Sequence, residues 1–335
     1  MNRQRRTFVG IILSLITSLP LFSFLKQKGE AGEVSSTKVT SPAGDKARVV
    51  VLQREGMIRG NAVDKNLAMK MVNEGVCHVT GNSLPSGAWR ELFHPKDTVG
   101  IKVNCLGGKG VSTHPELVMA VVEGLRIAGV PDSNIIIWDR LTSELEAVGF
   151  KINLQGHGVK CCGTDSNYEP EVEEIGSIGS CFSTILSRQC TALINMPVLK
   201  DHDLSGVSLS LKNLYGAIHN PNKYHDNNGD PYIADLNSHP LIRKKQKLII
   251  CDGITGMYNG GPGFKPQGSW PFQGIILSRD PVALDRVGCE IIEAKRKEKG
   301  LPGLKEVGRD PKHIRTAFKK GLGIGDMQRI EVVKG

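Results

Sequence analysis

Three lysines stand in apolar surroundings. Lys102 lies inside Val99-Gly-Ile-Lys-Val103, Lys200 closes Asn195-Met-Pro-Val-Leu-Lys200, and Lys212 sits in Ser208-Leu-Ser-Leu-Lys212-Asn213. A buried, unpaired ammonium costs several kcal/mol, so each must snorkel, pair with a carboxylate or face a polar pocket. If the three share one pocket, it suits a carboxylate or a phosphate. If they are apart, they are ordinary surface or ion-paired lysines. Asn104, Asn195 and Asn213 are the neutral partners expected on the same surface. His114 joins them at a helix entrance, where anions also bind or where it simply caps. Gly261 and Gly263 belong to Gly260-Gly-Pro-Gly263, which lets backbone approach a ligand. That segment is not a phosphate loop, because it lacks Gly-Lys-Ser/Thr and the strand-Gly-x-Gly-helix setting.

Lys200, His202 and Asp252 are the candidate catalytic groups. A neutral imidazole at His202 can serve as base or metal ligand, or can be a solvated loop histidine. A divalent metal would draw on His202 and Asp252, with His219, His225 and Asp226 as weaker ligands. Asp226-x-Asn228-x-Asp230 has part of a calcium-loop spacing, without the terminal Glu. Cys105 follows Asn104, but no neighbouring residue lowers its pKa, which favours a packing thiol.

These side chains need elements to hold them. Residues 47–52, 99–103, 134–138, 191–194, 248–251, 274–277 and 329–333 read as strands. Asp64 to Val76 carries a helical apolar face. Thr113-His-Pro-Glu opens a second helix that Gly129 ends. Asp280-Pro281 starts a third, and Asp310-Pro311 repeats the device. Residues 204–217 read as helix or irregular lining, 216–240 as loop and 253–268 as loop. Strand, helix, strand at this spacing predicts an α/β fold: a mostly parallel open sheet flanked by helices. A Gly/Cys-rich region at 150–185 is expected as an insertion, with room for a hairpin. Strand candidates end in Asn104, Asp139, Asn195 and Asp252, at the strand exits where open sheets bind ligands. The alternative is that Asn and Asp only terminate strands there.

Several runs together resemble one family. They are Lys102-Val-Asn104 with Thr113-His-Pro-Glu, then Asn195-Met-Pro-Val-Leu-Lys200-Asp-His202, then Ser210-Leu-Lys-Asn-Leu-Tyr-Gly216. Asp252-Gly-Ile, Gly260-Gly-Pro-Gly263 and Asp280-Pro-Val-Ala-Leu-Asp285 complete the set. The chain resembles the DUF362 family of bacterial and archaeal proteins over about residues 47–295. The resemblance implies no general reaction. Some members carry ferredoxin-type cysteine motifs; this chain lacks them, so an electron-transfer role does not carry over.

The leader has a chemistry of its own. Arg5-Arg6-Thr-Phe-Val9 precedes an apolar run to Leu25, which resembles a twin-arginine export signal. Residues 1–33 are expected to be an export signal or an N-terminal anchor, 34–46 a polar linker, and 47–335 one α/β domain. The expected location is periplasmic, or membrane-anchored facing the periplasm. The expected partners are the twin-arginine machinery and a small anionic ligand; membrane contact would run only through residues 9–25 if uncleaved. The leader contributes a net +3 of the chain's +9, leaving a mildly basic body of about +6. Basic residues do not interleave with aromatics, which disfavours nucleic acid. No Cys-x-x-Cys occurs, so zinc-ribbon and ferredoxin-type iron–sulfur sites lose their main support. A disulfide among Cys161, Cys162, Cys181 and Cys190 fits an oxidising compartment. The expected function is an enzyme acting on a small anion at the strand ends. The alternatives are an anion- or metal-binding protein without catalysis, and a redox protein with a bound metal or iron–sulfur cofactor.

Overall fold

The computed structural model describes residues 46–335 apart from Asn61 and Gly156. The expected export leader and nearly all of the linker lie outside these residues. The described residues fall in one compact unit. No described helix is long and apolar enough to cross a membrane.

The principal strands are β1 (Ala47–Gln53), β2 (Val99–Lys102), β3 (Ile135–Asp139), β4 (Lys160–Gly163) and β5 (Ala192–Asn195). They continue with β6 (Val198–His202), β7 (Gln246–Met257), β8 (Gly274–Ser278) and β9 (Ile330–Lys334). Eight run in the order β9-β1-β8-β7-β5-β2-β3-β4 across one mixed sheet, and β6 lies beside the far half of β7. Pairing is parallel from β7 through β4, and again between β6 and β7 and between β1 and β9. Only β8 runs against its neighbours along that path. The fold is the expected α/β class.

Alternation along the strands divides the core between the two faces of the sheet. Val49, Val51, Ile136 and Trp138 pack on one side. Val50, Leu52, Ile135 and Ile137 pack on the other. Helix α1 (Lys65–Thr80) starts at Asp64, whose carboxylate accepts from the Leu67 amide, and ends at Gly81 in the left-handed region. Helix α2 spans Pro85–Leu92, with proline in its first turn. Helix α3 (Pro115–Ala128) has proline in its first turn and stops at Gly129, as expected. Helix α4 spans Thr142–Val148 and α5 spans Ser210–Asn213. Asp280 caps α7, which spans Pro281–Glu298, through the Val282 and Ala283 amides.

Four expectations change. The strand expected to stop before Asp252 continues to Met257, so Asp252 lies inside β7 and the first residues of the expected glycine loop, 253–257, are extended sheet. The reason is tertiary: β6 and the short strand Ser269–Trp270 pair with that far half. Residues 216–240 are not simply loop, because Tyr232–Ser238 forms helix α6, burying Ile233, Ala234 and Leu236. Asp310 does not cap helix α8 (Lys312–Lys319); its carboxylate accepts from the Arg315 guanidinium at 3.1 and 2.8 Å. No disulfide forms: Cys161, Cys162, Cys181 and Cys190 are all free thiols. Within 150–185, β4 closes one edge of the main sheet, and Glu173–Ile175 pairs with Ile178–Ser180 as a hairpin.

Candidate functional site

The strand exits surround a cavity of about 120 Å³. Lys102 ends β2 opposite Trp138 of the parallel strand β3, and Asp139 is the next and last residue of β3, so the two side chains leave the sheet at the same exit. Lys102 Nζ donates to Asp139 Oδ1 at 2.6 Å and to the Val103 carbonyl at 2.7 Å. Asp139 also accepts from the Arg140 amide at 2.8 Å and the Cys105 amide at 2.7 Å. Asp139 thus neutralises Lys102 and pins two chain segments. Glycine at 216 leaves this pair its room, since a Cβ there would stand 2.7 Å from Lys102 Nζ and 3.2 Å from Asp139 Oδ1.

Lys200 comes from β6. Its ammonium donates to Asn104 Oδ1 at 2.8 Å and to the Val111 carbonyl at 3.3 Å, both neutral acceptors. Burial lowers its pKa to about 8, against the opposing pull of Asp139. Asn104 Nδ2 donates in turn to Asn213 Oδ1 at 3.0 Å, and Asn213 Nδ2 donates to Asn195 Oδ1 at 2.8 Å. Asn195 reaches further back, to the Ser210 carbonyl and Gln246 Oε1, both at 3.0 Å. This amide chain fixes the wall on which the lysines stand.

Lys212 lies on α5, whose first turn is held by Asp285. That buried carboxylate accepts from the Ser210 amide at 2.7 Å, the Ser210 hydroxyl at 2.5 Å and the Leu211 amide at 3.0 Å. Burial raises the Asp285 pKa to about 7, although these donors favour its anion. Lys212 Nζ sits 2.9 Å from His225 Nε2 and 4.3 Å from the centre of the Tyr215 ring. Burial lowers its pKa to about 7; exposed Asp203 pulls the other way, and Lys200 adds to the fall. The aromatic face favours the ammonium by about 0.5–2 kcal/mol. That is about one tenfold step and does not restore an ordinary lysine.

His202 ends β6. Its Nδ1 faces the Leu204 and Ser205 amides at 3.1 and 3.3 Å, with exposed Asp203 Oδ1 at 3.0 Å. Two backbone donors make Nδ1 the acceptor, which leaves the ring proton on Nε2. Burial, with Lys212, His225 and Lys200 nearby, lowers the His202 pKa to about 2. The ring is therefore neutral and stacks on His225 at 5.7 Å between centres. Burial also lowers the His225 pKa, followed by the effect of Lys212; hydrogen bonding to the backbone at Asn222 and Pro221 opposes them.

Of the expected site residues, Lys102, Asn104, Lys200, His202, Lys212, Asn213 and His225 line this cavity. The others do not. Asn195 braces the wall from behind. Asp252 is wholly buried and does not meet His202; it accepts from the His114 amide at 2.8 Å, from His114 Nδ1 at 2.9 Å and from the Ile254 amide at 2.9 Å. Burial disfavours the His114 imidazolium, but Asp252 outweighs it and raises the His114 pKa. The Gly261 amide is already taken by Asp201 Oδ1 at 2.8 Å, and the Gly260 amide by Asp201 Oδ2 at 3.0 Å. The glycine segment thus holds an internal carboxylate, further neutralised by Arg309 at 2.8 Å, and presents Pro262 to the cavity. Gly263 has open space about it and lines no part of the cavity.

The proposed metal ligands do not assemble. His219 and Asp226 are exposed, and His219 Nδ1 approaches the Ser180 hydroxyl at 3.3 Å. Among the described residues, no three His, Cys, Asp or Glu side chains gather to hold one ion. With its proton on Nε2, His202 also offers no free lone pair to the cavity. Burial raises the Cys105 thiol pKa, as expected of a packing cysteine.

Two charged residues escaped the sequence reading. Arg140 follows Asp139, and its Nε is buried with no hydrogen-bond partner. Glu144 lies two residues into α4; burial and then Asp139 raise its pKa. Their signal was position alone, just past a strand exit.

No curated protein matches the chain. The family described as Domain of unknown function (DUF362) matches residues 99–290, more than half of the chain and the whole of the strand-exit wall from Lys102 to Asp285. By that match, the chain belongs to the DUF362 family.

Proposed function

We propose that the protein is an exported enzyme that binds a small carboxylate- or phosphate-bearing molecule in this cavity and acts on it. One observation carries the reading. Lys102, Arg140, Lys200 and Lys212, from four separate elements or loops, line one cavity whose acids, among the described residues, are Asp139 and Glu144. Asp139 is committed to Lys102, and burial favours the neutral form of Glu144. Lys200, Lys212 and the unpartnered Arg140 Nε are therefore left for an incoming anion. Neutral His225 beside them, whose Nε2 lies 2.9 Å from Lys212 Nζ, is a group able to take up a proton, which favours conversion over capture. Capture without conversion is the second reading. It is favoured by the buried His114–Asp252 pair, which lies away from the cavity and leaves its imidazoles without a buried carboxylate to orient them. The Arg5-Arg6 leader supports a place of action outside the cytoplasm.

The test is calorimetric titration and thermal melting with phosphate, pyruvate and acetate, using chloride as the control. One of the three anions should raise the melting temperature saturably, and Lys200→Met should weaken its binding at least tenfold. If no anion affects the wild type, or if Lys200→Met binds equally well, the reading is wrong.

A further inference from the structure

The three lysines are chemically unequal. Lys102 has a carboxylate and Lys200 has two carbonyl-type oxygens, each an acceptor suited to an ammonium. Among the described residues, Lys212 has no oxygen partner within hydrogen-bonding distance. Its contacts are the His225 nitrogen and the Tyr215 ring. The charged and titratable groups around it are Lys200, the exposed Asp203, and the neutral rings of His202, His225 and His313. An amine in that setting is held less firmly as a cation than its two neighbours. It also has a base in contact.

We propose that Lys212 is an amine nucleophile that forms an imine with a small carbonyl compound carrying an anionic group, such as a 2-oxo acid. This rests on the reading of the cavity as an anion site. Lys200 and Arg140 Nε hold the anionic end, which points the carbonyl carbon toward Lys212. The lowered pKa of Lys212, about 7, supplies neutral amine at physiological pH. His225 Nε2 takes one ammonium proton, and the freed nitrogen lone pair forms the C–N bond. The C=O π electrons move to oxygen, which takes that proton back from His225. The nitrogen then gives a second proton through His225 to the hydroxyl. The C–O bond breaks, water leaves, and the nitrogen lone pair closes the iminium. One ammonium and one carbonyl become one iminium and one water, with no oxidant or reductant required. The cavity has room for an occupant of several heavy atoms, the size of pyruvate or glyoxylate.

The test is reductive trapping of the full protein with pyruvate and cyanoborohydride, followed by peptide mass mapping. We expect one N-carboxyethyl group, on Lys212, formed at least tenfold faster than on any surface lysine. The rate should rise as pH increases through about 7. Lys212→Arg should abolish the adduct, and Arg140→Gln should slow it. Glyoxylate serves as the second probe. If calorimetry shows either probe binding while neither labels Lys212, the imine is excluded and the anion site stands. If labelling is spread evenly over surface lysines, the imine is likewise excluded. If neither probe binds or labels, the proposal and the anion reading both fall for these oxo acids.

Discussion

Replacing Lys212 by methionine should stabilise the empty protein, by an amount that depends on pH in a set direction. The side chain is 8 % exposed and has no carboxylate in contact. Each tenfold change in an ionisation constant is worth about 1.4 kcal/mol. A fall from 10.5 to about 7 therefore corresponds to roughly 5 kcal/mol at most. Water in the cavity reduces that, and isosteric apolar replacement of buried charge elsewhere stabilises by about 1–4 kcal/mol. The sign follows from proton linkage. Below about pH 7 the lysine is charged in both folded and unfolded chains, so the wild type bears the whole penalty. Between about 7 and 10.5 the unfolded chain holds a proton that the folded one lacks, and wild-type stability rises with pH. Lys212→Met should thus exceed the wild type most at pH 6.5 and little by pH 10. At about 2 °C per kcal/mol the gap is a few degrees in a melting experiment. Buffers must be free of phosphate and carboxylate, which would fill the site. An unchanged or lower melting temperature at pH 6.5, with the same offset at pH 10, would refute the reasoning. Lys212 would then be a structural donor, not a strained binding group.

Asp252→Ala should cost about 3–5 kcal/mol by chemical denaturation, because it strands three donors that meet that carboxylate. The part due to the His114 ion pair is complete below the usual imidazole value of 6.5 and is lost as pH rises through the raised folded value. Anion affinity should stay within about threefold, as neither residue lines the cavity; a hundredfold loss with stability intact would return Asp252 to the reaction. Changing Arg5-Arg6 to Lys-Lys should leave the protein in the cytoplasm on cell fractionation; unchanged export would exclude the twin-arginine route.

Much of the architecture was legible one element at a time. Asp64, Asp280 and Gly129 mark helix ends through bonds spanning only a few residues, so local sequence specifies them. The same holds for the apolar runs of β1, β2, β3 and β8, whose every second residue must leave water on the same face. Lysines in apolar runs were likewise readable as a demand, because an ammonium there must find a polar neighbour. Which neighbour it found was not readable. Lys102 met Asp139 across 37 positions and Lys200 met Asn104 across 96, through parallel strand pairing that no local pattern encodes. Asp252 looked like a strand end until β6 paired alongside and carried the strand past it into the interior. There its carboxylate was satisfied by His114 and not by His202. The Gly260 and Gly261 amides, apt for a ligand by composition, were claimed by Asp201, itself held by Arg309, from distant chain. Short-range chemistry sets what each buried polar group requires. Strand order and register set what lies within 3 Å of it, and only the folded chain decides that.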